Sequence, residues 1–172
     1  SYTDAFFEAM SGLTTTGATI ITELDEAPPG ILLWRALLQW FGGIGIIVMA
    51  ISVLPMLNVG GMQLFRLESS DTSEKILPRT AQIAGSITRL YFFITGSCLL
   101  AYWLAGMSFF DAAAHAMTTI ATGGFSTRDA SIAAFSIPAI EVVAIFFMLA
   151  SSLPFVAYLQ LTNRNFNAFW QD

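Results

Sequence analysis

The stretch Asp4–Thr19 reads DAFFEAMSGLTTTGAT, and the stretch Asp111–Ser126 reads DAAAHAMTTIATGGFS. Laid so that Asp4 falls on Asp111, they also match at Ala5/Ala112, Ala9/Ala116, Met10/Met117, Thr15/Thr122 and Gly17/Gly124. Conservative exchanges fall at Ser11/Thr118, Leu13/Ile120 and Thr19/Ser126. Each copy is a short helix pattern running into a Thr/Gly turn, and a long apolar segment follows each. A repeat of this kind in a hydrophobic chain points to a membrane protein with pseudo-symmetric units.

Composition agrees. The 172 residues are 55% hydrophobic and 11% charged, against about 25% charged in ordinary globular domains. Cys98 is the lone cysteine and stands in an apolar run, which excludes a disulfide framework and suits a small apolar filler. Without an initiator Met or a leader pattern, the chain reads as an internal piece of a longer protein.

Three segments are long enough to cross a bilayer, which takes roughly 20 apolar residues. They are Ile31–Leu57, Ala84–Met107 and Ile132–Leu161, each with one charge: Arg35, Arg89 and Glu141. The two repeated segments are shorter. From Asp4 to Leu13 and from Asp111 to Ile120 a helix covers about 15 Å, half a hydrocarbon core, so each dips in and stops. Asp4 and Asp111 suit the N-cap of these half-helices. Trp34, Trp40, Tyr102 and Trp103 serve either as interfacial anchors or in packing.

The fold expected is an all-α membrane protein of helix–pore-loop–helix repeats. Residues 1–57 form a first pore-loop unit without its leading helix, and 58–83 a cytoplasmic link. Residues 84–161 form a complete second unit, and 162–172 open the next cytoplasmic segment. Arg66, Lys75, Arg79, Arg89 and Arg164 share one side, which the positive-inside rule assigns to the cytoplasm. The opposite side carries Asp4, Glu8, Glu23, Asp25, Glu26, Asp111, Asp129 and Glu141 against Arg35 and Arg128. An acidic mouth concentrates cations, and Glu23, Asp25 and Glu141 are its candidate residues.

A dehydrated cation needs several oxygen dipoles around it, and backbone carbonyls supply them if the chain turns them inward. Glycine takes the required angles without a Cβ penalty, and Gly17, Gly123 and Gly124 stand where the turns need it. Irregular backbone at membrane depth survives only where it lines a cavity or is buried. The C-terminal end of each half-helix is partly negative and favours a cation at the membrane centre. Together these features point to a monovalent cation. Two rival readings remain at this point: a non-conducting membrane scaffold or sensor, and a transporter of another solute with broken helices.

Other features have plainer readings. Gly42-Gly43-x-Gly45 lies inside an apolar span with no strand before it, so close helix approach accounts for it better than a nucleotide loop. His115 aligns with Glu8 of the first copy. Arg35 has Glu8 and Glu23 as candidate partners. No His/Cys cluster, carboxylate dyad or nucleophile–base set occurs, so no enzymatic role or resident cofactor is expected.

The run Trp34–Leu57 (WRALLQWFGGIGIIVMAISVLPML), the following NVGGMQLFR, the TTTGAT turn and the ATGGFST turn resemble the Trk/Ktr/HKT potassium transporter superfamily, most closely its TrkH-type membrane subunits. The resemblance implies four helix–pore-loop–helix repeats around a pseudo-fourfold pore, about one and a half of which lie in this chain. It implies potassium uptake, with Thr15, Thr16, Gly17, Thr122, Gly123 and Gly124 forming the selectivity filter and Gly17 in place of the serine that accompanies sodium preference. It implies a multi-pass protein of the bacterial inner membrane that forms a homodimer. It further implies a cytosolic TrkA-type nucleotide-binding ring, for which Arg66, Lys75 and Arg79 are candidate docking residues, and no nucleic-acid partner.

Overall fold

A computed structural model describes residues 1–57 and 76–153. Within them five α-helices follow in order: α1 (Tyr2–Leu13), α2 (Pro29–Leu57), α3 (Ile76–Leu104), α4 (Phe109–Ile120) and α5 (Pro138–Ser152). No strand occurs among the described residues. Short 3-10 turns at Leu24–Glu26 and Ser131–Phe135 shape the two loops that follow α1 and α4.

The short helices have twelve residues each, about 18 Å at the helical rise, so neither crosses a core of about 30 Å. By contrast α2 has 29 residues, and Ala84–Leu104 of α3 is long and apolar enough to cross a membrane. Helix α3 begins at Ile76, inside the stretch read from sequence as the link. The third expected span, Ile132–Leu161, starts as a helix only at Pro138. Ser131–Phe135 winds as a 3-10 turn and Pro138 sits in the first turn of α5, a position that suits its fixed φ and missing N–H. The part of that span beyond residue 153 lies outside the described residues.

The caps differ from the sequence expectation. Ser1 and Ser108, not Asp4 and Asp111, are the N-caps, each accepting from the backbone N–H of the aspartate three residues on. Around Ser1 the Asp4 carboxylate accepts in turn from the cap's own nitrogen, which closes a capping box, whereas Ser108 Oγ donates to Asp111 Oδ2 at 2.7 Å. The aspartates therefore lie inside the first turn, where their charge still meets the positive helix end.

Helix α4 packs against α2, α3 and α5, while α1 packs on α2. Between α2, α3 and α4 lie Trp40, Tyr91, Cys98, Tyr102, Ala116 and Ile120, all buried. Trp40 and Tyr102 are thus packing residues, whereas Trp34 and Trp103 are exposed, at 61% and 51%. Three polar side chains in this core find partners, as an apolar medium demands. Trp40 Nε1 donates to Thr95 Oγ1 at 3.1 Å, Tyr91 donates to the Trp40 carbonyl at 3.1 Å, and the Tyr102 and Thr119 hydroxyls lie 2.9 Å apart.

Two adjacent glycines of α2 set how deep the half-helices go. A Cβ at Gly42 would collide with the Leu13 carbonyl at the end of α1, and one at Gly43 would lie 2.7 Å from Tyr91 Oη and 3.2 Å from Ala121 at the end of α4. Both positions lie about 20 Å down α2 from its outer end, close to the length of each half-helix. The close-approach reading of this motif holds at Gly42 and Gly43. A Cβ at Gly45 meets nothing within 4 Å. Gly42→Ala should therefore destabilise the protein by about 1–3 kcal/mol through overpacking, and Gly45→Ala by less than about 0.5 kcal/mol, as read by thermal melting in detergent. Equal melting of the two variants would refute this seating.

Candidate functional site

Both half-helices end in the same way, residue for residue. In the first, Thr15 N–H donates to the Gly12 carbonyl and Thr16 N–H to the Ser11 carbonyl, both at 3.0 Å. In the second, Thr122 N–H donates to Thr119 at 3.0 Å and Gly123 N–H to Thr118 at 2.9 Å. This is the Schellman pattern, with the residue after the cap in the left-handed region. That residue is usually glycine, yet here it is Thr15 at φ 55 and Thr122 at φ 54. A β-branched residue there is strained by about 1–3 kcal/mol, and such strain gathers at functional sites. Two residues on, Gly17 and Gly124 return to positive φ, at 78 and 80.

The six predicted turn residues come together as two facing loops. A Cβ at Gly17 would collide with the Gly123 carbonyl oxygen, so the first loop rests directly on the second. A Cβ at Gly124 meets nothing within 4 Å, and there glycine serves φ alone. Below the turns, Thr15, Thr122, Gly43, Tyr91 and Ser151 line a cavity of about 180 Å³.

Helix α2 ties the loops to each other. Arg35, 2% exposed, donates from Nε to Glu8 Oε1 at 2.6 Å, which settles its partner as Glu8. From NH2 it reaches Thr19 Oγ1 at 3.0 Å, and from NH1 the Ser126 carbonyl at 3.2 Å. Its guanidinium also stacks 4.1 Å above the centre of the Phe125 ring. One side chain thus grips the segment after each turn. One helical turn further along α2, Gln39 Oε1 accepts from Phe125 N–H at 3.1 Å. Sequence reading passed over Gln39. The available signal was a polar residue inside an apolar span, which is a functional-site hypothesis by default.

Glu8 and His115, aligned in sequence, do the same task with different chemistry. Glu8 accepts from Thr19 Oγ1 at 2.8 Å and from Ile20 N–H at 3.1 Å. His115 Nε2 pairs with Ser126 Oγ at 2.9 Å while Nδ1 pairs with the Asp111 carbonyl at 2.8 Å. Thr19 and Ser126 are themselves equivalent, so each half-helix holds its returning strand at the same point. Both His115 nitrogens are occupied, so it sits as a loop support.

The outer acids are largely engaged with each other's loops. Arg128 bridges Asp25 at 3.2 Å and Asp111 at 3.3 Å. Asp129 accepts from Leu24 N–H at 3.0 Å and Asp25 N–H at 3.5 Å. Glu23 and Glu141 are exposed, Glu23 at φ 62 and Glu141 in the first turn of α5. Arg66, Lys75 and the Arg79 side chain lie outside the described residues. No group of three His, Cys, Asp or Glu side chains able to hold a metal occurs among the described residues.

Two outcomes follow. Arg35→Met strands the buried Glu8 carboxylate and should cost about 3–5 kcal/mol, with part regained in Arg35→Met/Glu8→Gln. Melting of the single variant within about 1 kcal/mol of the parent would remove the pair from the framework. Separately, the Leu24 N–H holds the Asp129 carboxyl below its ordinary value. A lowered folded value means that this link is complete above the unfolded value of about 3.9 and is lost as pH falls through the folded one. Exchange of the Leu24 amide should therefore stay slow from neutral pH down to about 4 and quicken only below it, whereas Asp129→Ala should quicken it at neutral pH.

The family model described as "TrkH: Cation transport protein" matches residues 1–168. The chain is 48% identical over 173 residues to the Trk system potassium uptake protein TrkH of Escherichia coli (strain K12), covering 99% of this chain and 36% of that protein. It is 38% identical over 166 residues to the Trk system potassium uptake protein TrkG of the same strain, covering 95% of this chain and 34% of that protein. The crystal structure of the potassium transporter TrkH from Vibrio parahaemolyticus superposes with a TM-score of 0.82 at 45% identity, over 96% of this chain and 32% of that one. The chain therefore spans about a third of the length of the relatives it matches. On its sequence, its paired pore loops and this superposition, the chain belongs to the TrkH family of cation transport proteins.

Proposed function

We propose that this chain forms the first two pore-loop units of a potassium-uptake subunit, and that Thr15, Thr16 and Gly17 with Thr122, Gly123 and Gly124 make half of its selectivity filter. The carrying observation is the pair of equivalent turns that meet at Gly17 and Gly123, each with positive φ at alternate residues. In an extended strand successive groups point to opposite sides. A left-handed residue at every second position removes that alternation and brings successive carbonyls to one side. Carbonyls so arranged replace the hydration shell of an ion. The turns sit at the partly negative ends of α1 and α4, which favours a cation.

The named relatives are potassium uptake proteins rather than enzymes, which supports potassium as the ion moved, with no resident cofactor. The remaining half of the pore comes from two further repeats of the same polypeptide. The subunit is a multi-pass protein of the bacterial inner membrane, dimeric and gated by a cytosolic TrkA-type ring. Arg66, Lys75 and Arg79 are its docking residues, and Glu23, Asp25 and Glu141 line the outer mouth.

Rubidium uptake by the full-length protein, in cells without their own potassium systems, tests this reading. Gly17→Ser must displace the Gly123 carbonyl, so it should abolish selective uptake. Gly124→Ser strains only its own φ, so uptake should persist with weakened discrimination against sodium. Wild-type uptake and discrimination in both variants, at matched expression, would remove the turns from the ion path.

A further inference from the structure

Gln39 is fully buried at 0% exposure, between the two turns yet on the helix of the first unit. A Cβ at Gly123 would overlap its amide group, and a Cβ at Gly17 would lie 3.6 Å from its Nε2. The amide thus lies against Gly123 and beside Gly17. A backbone N–H needs an acceptor, so Oε1 faces Phe125 N–H at 3.1 Å and Nε2 faces the other way. There Nε2 is buried with no hydrogen-bond partner.

A half-satisfied amide in such a place is poor for stability, because an unmet buried donor loses its hydration without return. Stability alone therefore does not account for a glutamine here. What the side chain does is fix a backbone atom of the second loop, directly after Gly124, to a helix of the first. We propose that Gln39 is a positioning residue for ion selection: by holding Phe125 N–H from the neighbouring unit, it sets where the Thr122–Gly124 carbonyls stand relative to those of Thr15–Gly17, and so sets the discrimination between potassium and sodium. This role rests on the filter reading above. Arg35 grips the outer ends of both loops, and Gln39 holds the second loop at Phe125, next to the glycines.

The experiment is rubidium uptake by the full-length transporter with sodium as competitor, run on Gln39→Met, Gln39→Asn and Gln39→Glu, with Gly17→Ser and Gly124→Ser in parallel. Gln39→Met removes the acceptor at nearly constant volume, and Gln39→Asn draws it back by one methylene. Both should lower potassium-over-sodium discrimination by about tenfold, the worth of one hydrogen bond. Gln39→Met should melt close to wild type, since it removes the unmet Nε2 as it uncovers Phe125 N–H. Gln39→Glu keeps an acceptor in place and should retain discrimination. Wild-type discrimination in Gln39→Met would overturn the proposal, and Gln39→Asn decides in the same way if the Met variant does not reach the membrane. If the glycine variants lose discrimination while the Gln39 variants keep it, the filter stands and Gln39 has no part in selection. If the glycine variants also behave as wild type, the filter reading falls and takes this role with it.

Discussion

The buried charge of Arg35 is the constraint on which the rest of the structure depends. A guanidinium does not deprotonate under working conditions, and at 2% exposure it must be paired where it lies. Glu8 neutralises it, and two of its remaining donors go to Thr19 and to the Ser126 carbonyl. Those two residues are equivalent points on the two loops. A requirement for pairing one charge is thereby converted into a fixed distance between two turns. Irregular backbone at membrane depth has no water to fall back on, so such a clamp is what permits the turns to leave helical geometry there.

The two units reach one backbone shape by different side-chain routes. The Schellman turns, the left-handed threonines and the following glycines are the same in both. The supports are not. Glu8 and Thr19 pair a carboxylate with a hydroxyl in the first unit, while His115 and Ser126 pair an imidazole with a hydroxyl in the second. Ser11 Oγ holds the Ala18 carbonyl at 2.5 Å in the first loop, whereas the corresponding Phe125 is held by Gln39 from outside its own unit. Backbone geometry is the shared requirement, and side chains satisfy it locally. Gly42 and Gly43 add a second shared feature, because adjacent positions on one helix seat the ends of both half-helices at one level.

Much of this was legible in the sequence. The offset of the two copies predicts two re-entrant half-helices, and the glycine reading holds for positive φ at Gly17 and Gly124, whereas Gly123 does not take positive φ and Thr15 and Thr122 do. The small residues of α2 predict close approach, and a charged residue in an apolar span predicts a partner for Arg35. What was not legible depends on one local competition between caps and, for the rest, on contacts between distant segments. Asp4 and Asp111 looked like caps, but Ser1 and Ser108 hold that place because a serine three residues earlier completes a reciprocal pair. Glu8 counted toward the acidic mouth, yet it turns inward to Arg35 on a different helix. Asp129 counted there as well, yet it closes backbone donors of the first loop. Gln39 showed only as a polar residue inside an apolar span, and its meaning comes from the second loop, far along the chain.

The most direct test is anomalous scattering from crystals of the full-length transporter grown in rubidium. Rubidium density on the axis between Thr15–Gly17 and Thr122–Gly124, within coordination distance of their carbonyl oxygens, is what this account predicts. Density elsewhere in the pore, with the two turns intact and no ion between them, would contradict it.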